Sequence, residues 1–217
     1  MREKKALVVF LDCGDTLVDE GSEVKDENGI VLRADLIPGA KETVRTLYER
    51  GYTLALVADG AAQSFKNTLT QNGIYDYFDA MIYSETIKAT KPDRRMFKAA
   101  VGALDLGEAD YGRIVMVGNN LSRDVKGARA FGIASVFLAW TPRYPHVPAD
   151  ESERPDYVIH EPLELLELVE RLNEAVEGRL MQIDRQRSHS CNELKCGLQN
   201  KKRLLYAGSR NGAHSLP

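Results

Sequence analysis

Apolar residues in this chain come in short, dense runs separated by amphipathic stretches. Leu7 to Leu11 is five apolar residues in a row, and the run ends at Asp12. A run so short and unbroken reads as a strand covered on both faces. Thr53–Ala58, Ala80–Tyr83, Ile114–Val117, Ser135–Leu138 and a short Tyr157–Ile159 repeat that signature. Helical spacing fills the gaps between them. Ala40–Arg50 carries Val44, Leu47 and Tyr48 and stops at Gly51; Ala61–Asn72 carries Phe65 and Leu69 and stops at Gly73. Asp93–Leu104 follows Pro92, a residue suited to a helix's first turn. Ser122 is placed to cap a helix ending at Phe131, with Gly132 beyond it, and Pro162–Val176 is a last amphipathic helix. Strands alternating with helices predict an α/β fold: a three-layer, Rossmann-like wound parallel sheet with helices on both faces.

Three segments depart from the alternation. Asn28-Gly29, between Glu23–Lys25 and Ile30–Leu32, predicts a small β-hairpin. Trp140–Pro155 holds four prolines and reads as an extended loop. From Gly178 onward the apolar periodicity fails. The expected division is a domain over 1–177 and a basic polar tail over 178–217, disordered or loosely packed.

Composition narrows the class. With 43% hydrophobic and 28% charged residues the chain reads as soluble and globular. No apolar run approaches the ~20 residues that span a bilayer. The run after the charged amino terminus is too short for a signal peptide, meets Asp12 and lacks a small-residue cleavage site. Three cysteines make no disulfide framework, which points to a reducing, cytoplasmic setting. Cys13 reads as a small buried residue, and Cys191 with Cys196 lacks a second ligand pair for a metal. Counting Lys, Arg, Asp and Glu, residues 1–178 carry net −9 and residues 179–217 net +6. The acidic body argues against a nucleic-acid or membrane partner, while the tail is suited to polyanions.

Polar residues gather at four strand ends: Asp12 to Thr16, Ala58 to Gly60, Lys91 after the third strand, and Asn119 to Asp124. In a wound parallel sheet these ends share one edge. Carboxylates, an ammonium, an amide and turn N–H groups together suit a phosphate accompanied by Mg²⁺, a hard cation that prefers oxygen ligands.

In order, DCGDTLVD, LVADG, KPDRRMF and VGNNLSRDVKGA resemble the four motifs of the haloacid dehalogenase-like (HAD-like) hydrolases, over residues 6 to 140. The resemblance implies that Asp12 is the nucleophile that accepts a phosphoryl group as an aspartyl phosphate. It implies that Thr16 belongs to the catalytic group, that Lys91 orients Asp12, and that Mg²⁺ is held by Asp12, the Gly14 carbonyl, Asn119 and Asp124. Ala58, Asp59 and Gly60 fall on the phosphate-binding motif. Three positions depart from the family pattern. Gly14 replaces the usual acid two residues after the nucleophile, a loss worth roughly 10²–10⁴-fold on poor leaving groups; Asp15 is the adjacent candidate substitute. Ala58 lacks the usual hydroxyl, and Asn119 replaces a charged metal ligand, which lowers metal affinity. Between Thr16 and Pro38 there is room only for the hairpin, and between Asp59 and Lys91 only for one helix and one strand, so no large cap domain is expected. The site is then open to a phosphorylated small molecule or a larger phosphorylated substrate, or is closed by a neighbour in a homo-oligomer, with Trp140–Tyr144 supplying contacts at the same edge. The expected activity is Mg²⁺-dependent phosphate monoester hydrolysis. The alternative is a phosphate-sensing or partner-binding module with little turnover; dehalogenation is disfavoured without a cap to dry the site.

Overall fold

The structure is a computed structural model, and it describes residues 4–183 and 185. The chain divides into two units, Met1–Val176 and Glu177–Pro217. In the first, strands β1 (Val8–Leu11), β4 (Thr53–Ala58), β5 (Ala80–Tyr83), β6 (Ile114–Gly118), β7 (Ala134–Leu138) and β8 (Tyr157–Ile159) form one sheet. Its spatial order is β5-β4-β1-β6-β7-β8, with every pairing parallel. Two further short strands, β2 (Val24–Lys25) and β3 (Val31–Arg33), pair antiparallel as the expected hairpin. Asp26 shapes its turn: Oδ1 accepts from the N–H groups of Asn28 and Ile30 at 2.9 and 2.8 Å.

The central strands are apolar throughout because each face of the sheet is covered. Along β1, Val9 and Leu11 enter one core cluster and Val8 and Phe10 the other. The first cluster is closed by α1 (Ala40–Glu49) through Ala40, Val44 and Leu47, by α2 (Ala62–Gln71) through Leu69, and by a last helix, α6 (164–176), through Leu165, Leu168 and Val169. The second is closed by α4 (Arg94–Ala103) through Met96, Phe97 and Ala100, and by α5 (Lys126–Phe131) through Ala128 and Phe131. This is the three-layer wound sheet that the sequence predicts, with a hairpin flap and no cap domain among the described residues.

Four local expectations are revised. A one-turn helix, α3 (Ser84–Ile87), follows β5 directly. Pro92 lies outside α4; Asp93 is the N-cap, its side chain accepting from the Arg95 N–H at 2.9 Å. Ser122 is not a cap: a π-type turn over Leu121–Val125 precedes α5, and Asn120 caps it by accepting from the Arg123 N–H at 3.1 Å, while Ser122 Oγ donates to Asn120 Oδ1. The start of the expected tail is helical over the described residues 177–183 of the second unit, although its apolar periodicity has failed. Leu180, Met181 and Gln182 are good helix formers, so propensity carries the helix where amphipathicity does not. The rest of the expected tail, with Cys191 and Cys196, lies outside the described residues.

Candidate active site

Strand β1 is hydrogen-bonded to β4 on one flank and β6 on the other. The strand order reverses here, so loops leaving neighbouring strands part and open a crevice at their carboxyl ends. Asp12 is the first residue past β1. Its N–H donates to the Val117 carbonyl at 2.9 Å, so the sheet still holds its backbone as the side chain leaves. The chain then turns tightly: the Cys13 carbonyl accepts from the N–H groups of Thr16, Leu17 and Val18 at 3.2, 2.8 and 3.0 Å. The Thr16 hydroxyl is buried within that turn with no hydrogen-bond partner among the described residues.

Lys91 reaches into the crevice from beyond β5. Its Nζ stands 2.6 Å from Asp12 Oδ1 and 2.7 Å from Asp124 Oδ1, with Lys91 and Asp124 side chains each 1% exposed and Asp12 13%. Asp59, just past β4, accepts from the Lys91 N–H at 3.0 Å and fixes the backbone behind that ammonium. Burial acts most strongly on Lys91 and favours its neutral form; Asp12, Asp124 and Asp59 together outweigh burial and hold its pKa above the ordinary lysine value. Burial likewise pushes the Asp124 carboxyl upward against the pull of Lys91, and Asp12's charge adds to the rise. Asp59 is raised by burial, again against Lys91.

Asp124 owes its position to two features. Its Oδ2 accepts from the Asn120 N–H at 3.0 Å across the π-type turn, a device that recurs at functional sites. At Gly118, the last residue of β6, a Cβ would lie 2.7 Å from the Asp124 Cβ and closer still to its carboxyl. Only glycine lets that side chain lie over the strand end.

A second cluster forms on the other side of the Asp12 turn. Asp15 has φ +48°, a left-handed conformation that aspartate tolerates better than most residues. Its carboxylate is fully buried: Oδ1 accepts from the Glu20 N–H at 3.1 Å and Oδ2 pairs with Arg143 Nε. Asp15 therefore anchors the loop to Arg143. Glu20 opens a 3₁₀ turn, Glu20–Ser22, and its Oε2 accepts from the Tyr144 hydroxyl at 3.4 Å. Burial raises the Glu20 pKa, and the charges of Asp15, Asp12 and Glu23 raise it further. Arg123 stacks on the Tyr144 ring, 5.1 Å from its centroid, with Nη1 3.7 Å from Asp59 Oδ2. A cleft of about 250 Å³ opens between the β2–β3 flap and the start of α2, floored by Cys13 and Gly14 and walled by Glu20, Glu23, Lys25 and Asp59.

Six carboxyls (Asp12, Asp15, Asp19, Glu20, Asp59, Asp124) face three cations (Lys91, Arg123, Arg143) here, an excess of negative charge that a cation would relieve. No group of three or more His, Cys, Asp or Glu lies together as a metal site among the described residues. A Mg²⁺ site here would have to be mixed: carboxylates of Asp12 and Asp124, the Gly14 carbonyl and the Asn119 amide. Asn119 is 4% exposed and its Nδ2 has no hydrogen-bond partner among the described residues. That unpaired N–H₂ group is a donor and suits an anion's oxygen, whereas a divalent cation would take the Asn119 Oδ1 together with the carboxylates.

The structure brings together Asp12, Lys91 and Asp124 from well-separated parts of the sequence. Asp59 and Gly60 line the cleft, but Ala58 is completely buried and the Gly60 N–H donates to Ser84 Oγ at 2.9 Å, so neither offers the cleft a free donor. Asp15, the candidate substitute acid, has both oxygens committed. Burial, reinforced by Asp12, raises the Cys13 thiol well above its usual range, in keeping with a packing role. Arg123, Arg143 and Glu20 are residues that sequence reasoning did not single out; the Trp140–Tyr144 loop was the one available pointer to Arg143.

A haloacid dehalogenase-like hydrolase family model matches residues 18–138. Among curated proteins, a glyceraldehyde 3-phosphate phosphatase of Pyrococcus furiosus is 29% identical over 137 residues, 63% of this chain and 55% of that protein. An (S)-2-haloacid dehalogenase of a Pseudomonas species is 30% identical over 59% of this chain and 53% of that protein. The chain thus spans about half the length of the curated relatives it matches. Among solved structures, a HAD phosphatase from Thermococcus onnurineus superposes with a TM-score of 0.61 at 20% identity, covering 75% of this chain and 97% of that one.

Proposed function

Since the chain belongs to the haloacid dehalogenase-like hydrolase family, we propose that it is a phosphatase of that family, a Mg²⁺-assisted phosphoric monoester hydrolase working through an aspartyl phosphate on Asp12. We assign the activity to residues 1–177. The observation that carries the reading is the Lys91 ammonium, buried and in contact with both Asp12 and Asp124 at the sheet's switch point. Burying a lone ammonium costs several kcal/mol, so a buried lysine held by two carboxylates is an arrangement retained for a task.

In this reading Asp12 Oδ attacks phosphorus. Lys91 keeps that carboxylate pointed into the crevice, and its positive charge draws in the phosphoryl oxygens. Mg²⁺, held by Asp12, Asp124, the Gly14 carbonyl and Asn119, supplies the remaining charge neutralisation when bound. Asp59 holds the Lys91 backbone, and Asn120 and Gly118 hold Asp124. A substrate of the kind named for the Pyrococcus relative, a small phosphorylated metabolite, suits a cleft of about 250 Å³. Hydrolysis of p-nitrophenyl phosphate tests the reading. Turnover should require Mg²⁺ and fall by on the order of 10⁴-fold or more in Asp12→Asn. Equal turnover by the two proteins would refute it.

A further inference from the structure

An ester whose leaving group is an alkoxide needs a proton delivered to the departing oxygen, and hydrolysis of the resulting acyl phosphate needs a proton removed from water. Of the carboxyls near Asp12, most are already engaged. Asp124 is held by Lys91 and the Asn120 N–H. Asp59 accepts from the Lys91 N–H through Oδ1, and its Oδ2, buried without a hydrogen-bond partner among the described residues, stands 3.7 Å from Arg123 Nη1. Asp15 is held by Arg143 and the Glu20 N–H. Glu20 is different. One of its oxygens has a long contact to the Tyr144 hydroxyl at 3.4 Å and stands 4.0 Å from Arg143. The other, Oε1, lies directly over Gly14.

The space it occupies is informative. A Cβ built on Gly14 would sit 2.9 Å from Glu20 Cδ and nearer still to Oε1. The Glu20 carboxyl therefore fills the volume into which any side chain at position 14 would project. That position is two residues after Asp12, on the floor of the cleft whose wall includes Glu20 itself. The glycine and the glutamate are complementary: the missing side chain admits a carboxyl from six residues further along. The loop that delivers it is braced, because the Glu20 N–H donates to Asp15, and Asp15 is tied to Arg143 across the fold.

We propose that Glu20 is a catalytic residue of this phosphatase, the proton donor to the leaving oxygen and the base for the attacking water. The inference rests on the phosphatase reading above. In the first half-reaction Asp12 Oδ bonds to phosphorus, the phosphorus–ester bond breaks, and the proton on Glu20 passes to the departing oxygen, releasing an alcohol. In the second, Glu20 takes a proton from water as the water oxygen bonds to phosphorus. The bond to Asp12 then breaks, its electron pair returns to the carboxylate, and inorganic phosphate leaves. Glu20 ends protonated, as it began.

The test compares Glu20→Gln with wild type on two esters, p-nitrophenyl phosphate and glycerol 2-phosphate. A good leaving group needs no acid, so Glu20→Gln should release about one equivalent of p-nitrophenol rapidly and then stall, with phosphate retained on the chain. Glycerol 2-phosphate hydrolysis should fall roughly 10²–10⁴-fold with no burst. A variant that hydrolyses both esters at the wild-type rate overturns the proposal, as does one that loses both equally without a burst. A second pair of variants covers the case in which Glu20→Gln folds poorly. Gly14→Asp alone should lose activity through its clash with Glu20, whereas Gly14→Asp combined with Glu20→Ala should recover glycerol 2-phosphate hydrolysis beyond Glu20→Ala alone. No recovery in the double variant counts against Glu20. Asp12→Asn, run alongside, separates the two readings, since full turnover there would remove the phosphatase reading itself.

Discussion

On the sheet side of the site, Lys91 and Asp124 are buried almost completely; the Asp59 carboxylate past β4 accepts from the Lys91 N–H, and the Asp124 carboxylate accepts from the Asn120 N–H past β6. On the flap side, the β2–β3 hairpin exposes Val24 and Leu32, and Lys25, 53% exposed, pairs with the less exposed Glu23. The flap is fixed to α2 at a few points: the Val31 N–H donates to Ser64 Oγ at 3.0 Å, and Asn67 donates to the Val31 carbonyl at 2.9 Å. The two sides follow different physics. Charges in a buried, braced lattice have fixed geometry and interact strongly; charges on a two-stranded flap are screened and adjustable. In the proposed reading the nucleophile and its charge neutralisation belong to the sheet side, proton transfer to Glu20 at the root of the flap, and substrate selection to the flap itself.

Substitutions on the two sides should differ sharply in cost. Lys91→Met leaves Asp12 and Asp124 without their shared cation and should destabilise the protein by about 3–5 kcal/mol, read as a lower urea midpoint, with turnover lost. Retention of the wild-type midpoint would mean that the buried lattice is weaker than argued. Gly118→Ala forces Asp124 off the strand end and should cost about 1–3 kcal/mol. Turnover should fall by more than that stability loss explains, because the displaced carboxylate also leaves Lys91. On the flap, Lys25→Ala should leave stability within about 0.5 kcal/mol and kcat unchanged, while shifting KM. A fall in kcat there would break the division between the two sides.

How much of this was legible in the sequence follows the same line. The strands could be placed because a parallel sheet covered on both faces demands unbroken apolar runs, and β1, β4 and β6 comply. Asp12, Lys91 and Asp124 could be gathered because topology alone brings strand ends to one edge. What stayed hidden depends on side-chain geometry across loops. Ser122 and Asn120 are both good capping residues, and only the π-type turn decides for Asn120. Asp15 stands beside the nucleophile in sequence, yet its carboxylate turns to Arg143, a partner 128 residues away. Glu20 had no motif to mark it; the one local hint was the missing side chain at Gly14, which indicates a vacancy without saying what fills it.

The central claim is that Asp12 carries the phosphoryl group. The most direct measurement is peptide mass mapping of the full chain, quenched in acid during turnover of p-nitrophenyl phosphate with Mg²⁺. The account predicts a phosphoryl group on the peptide containing Asp12, absent from Asp12→Asn and absent without the metal. Steady hydrolysis with that peptide unmodified, or phosphorylation found elsewhere and undiminished in Asp12→Asn, would contradict it.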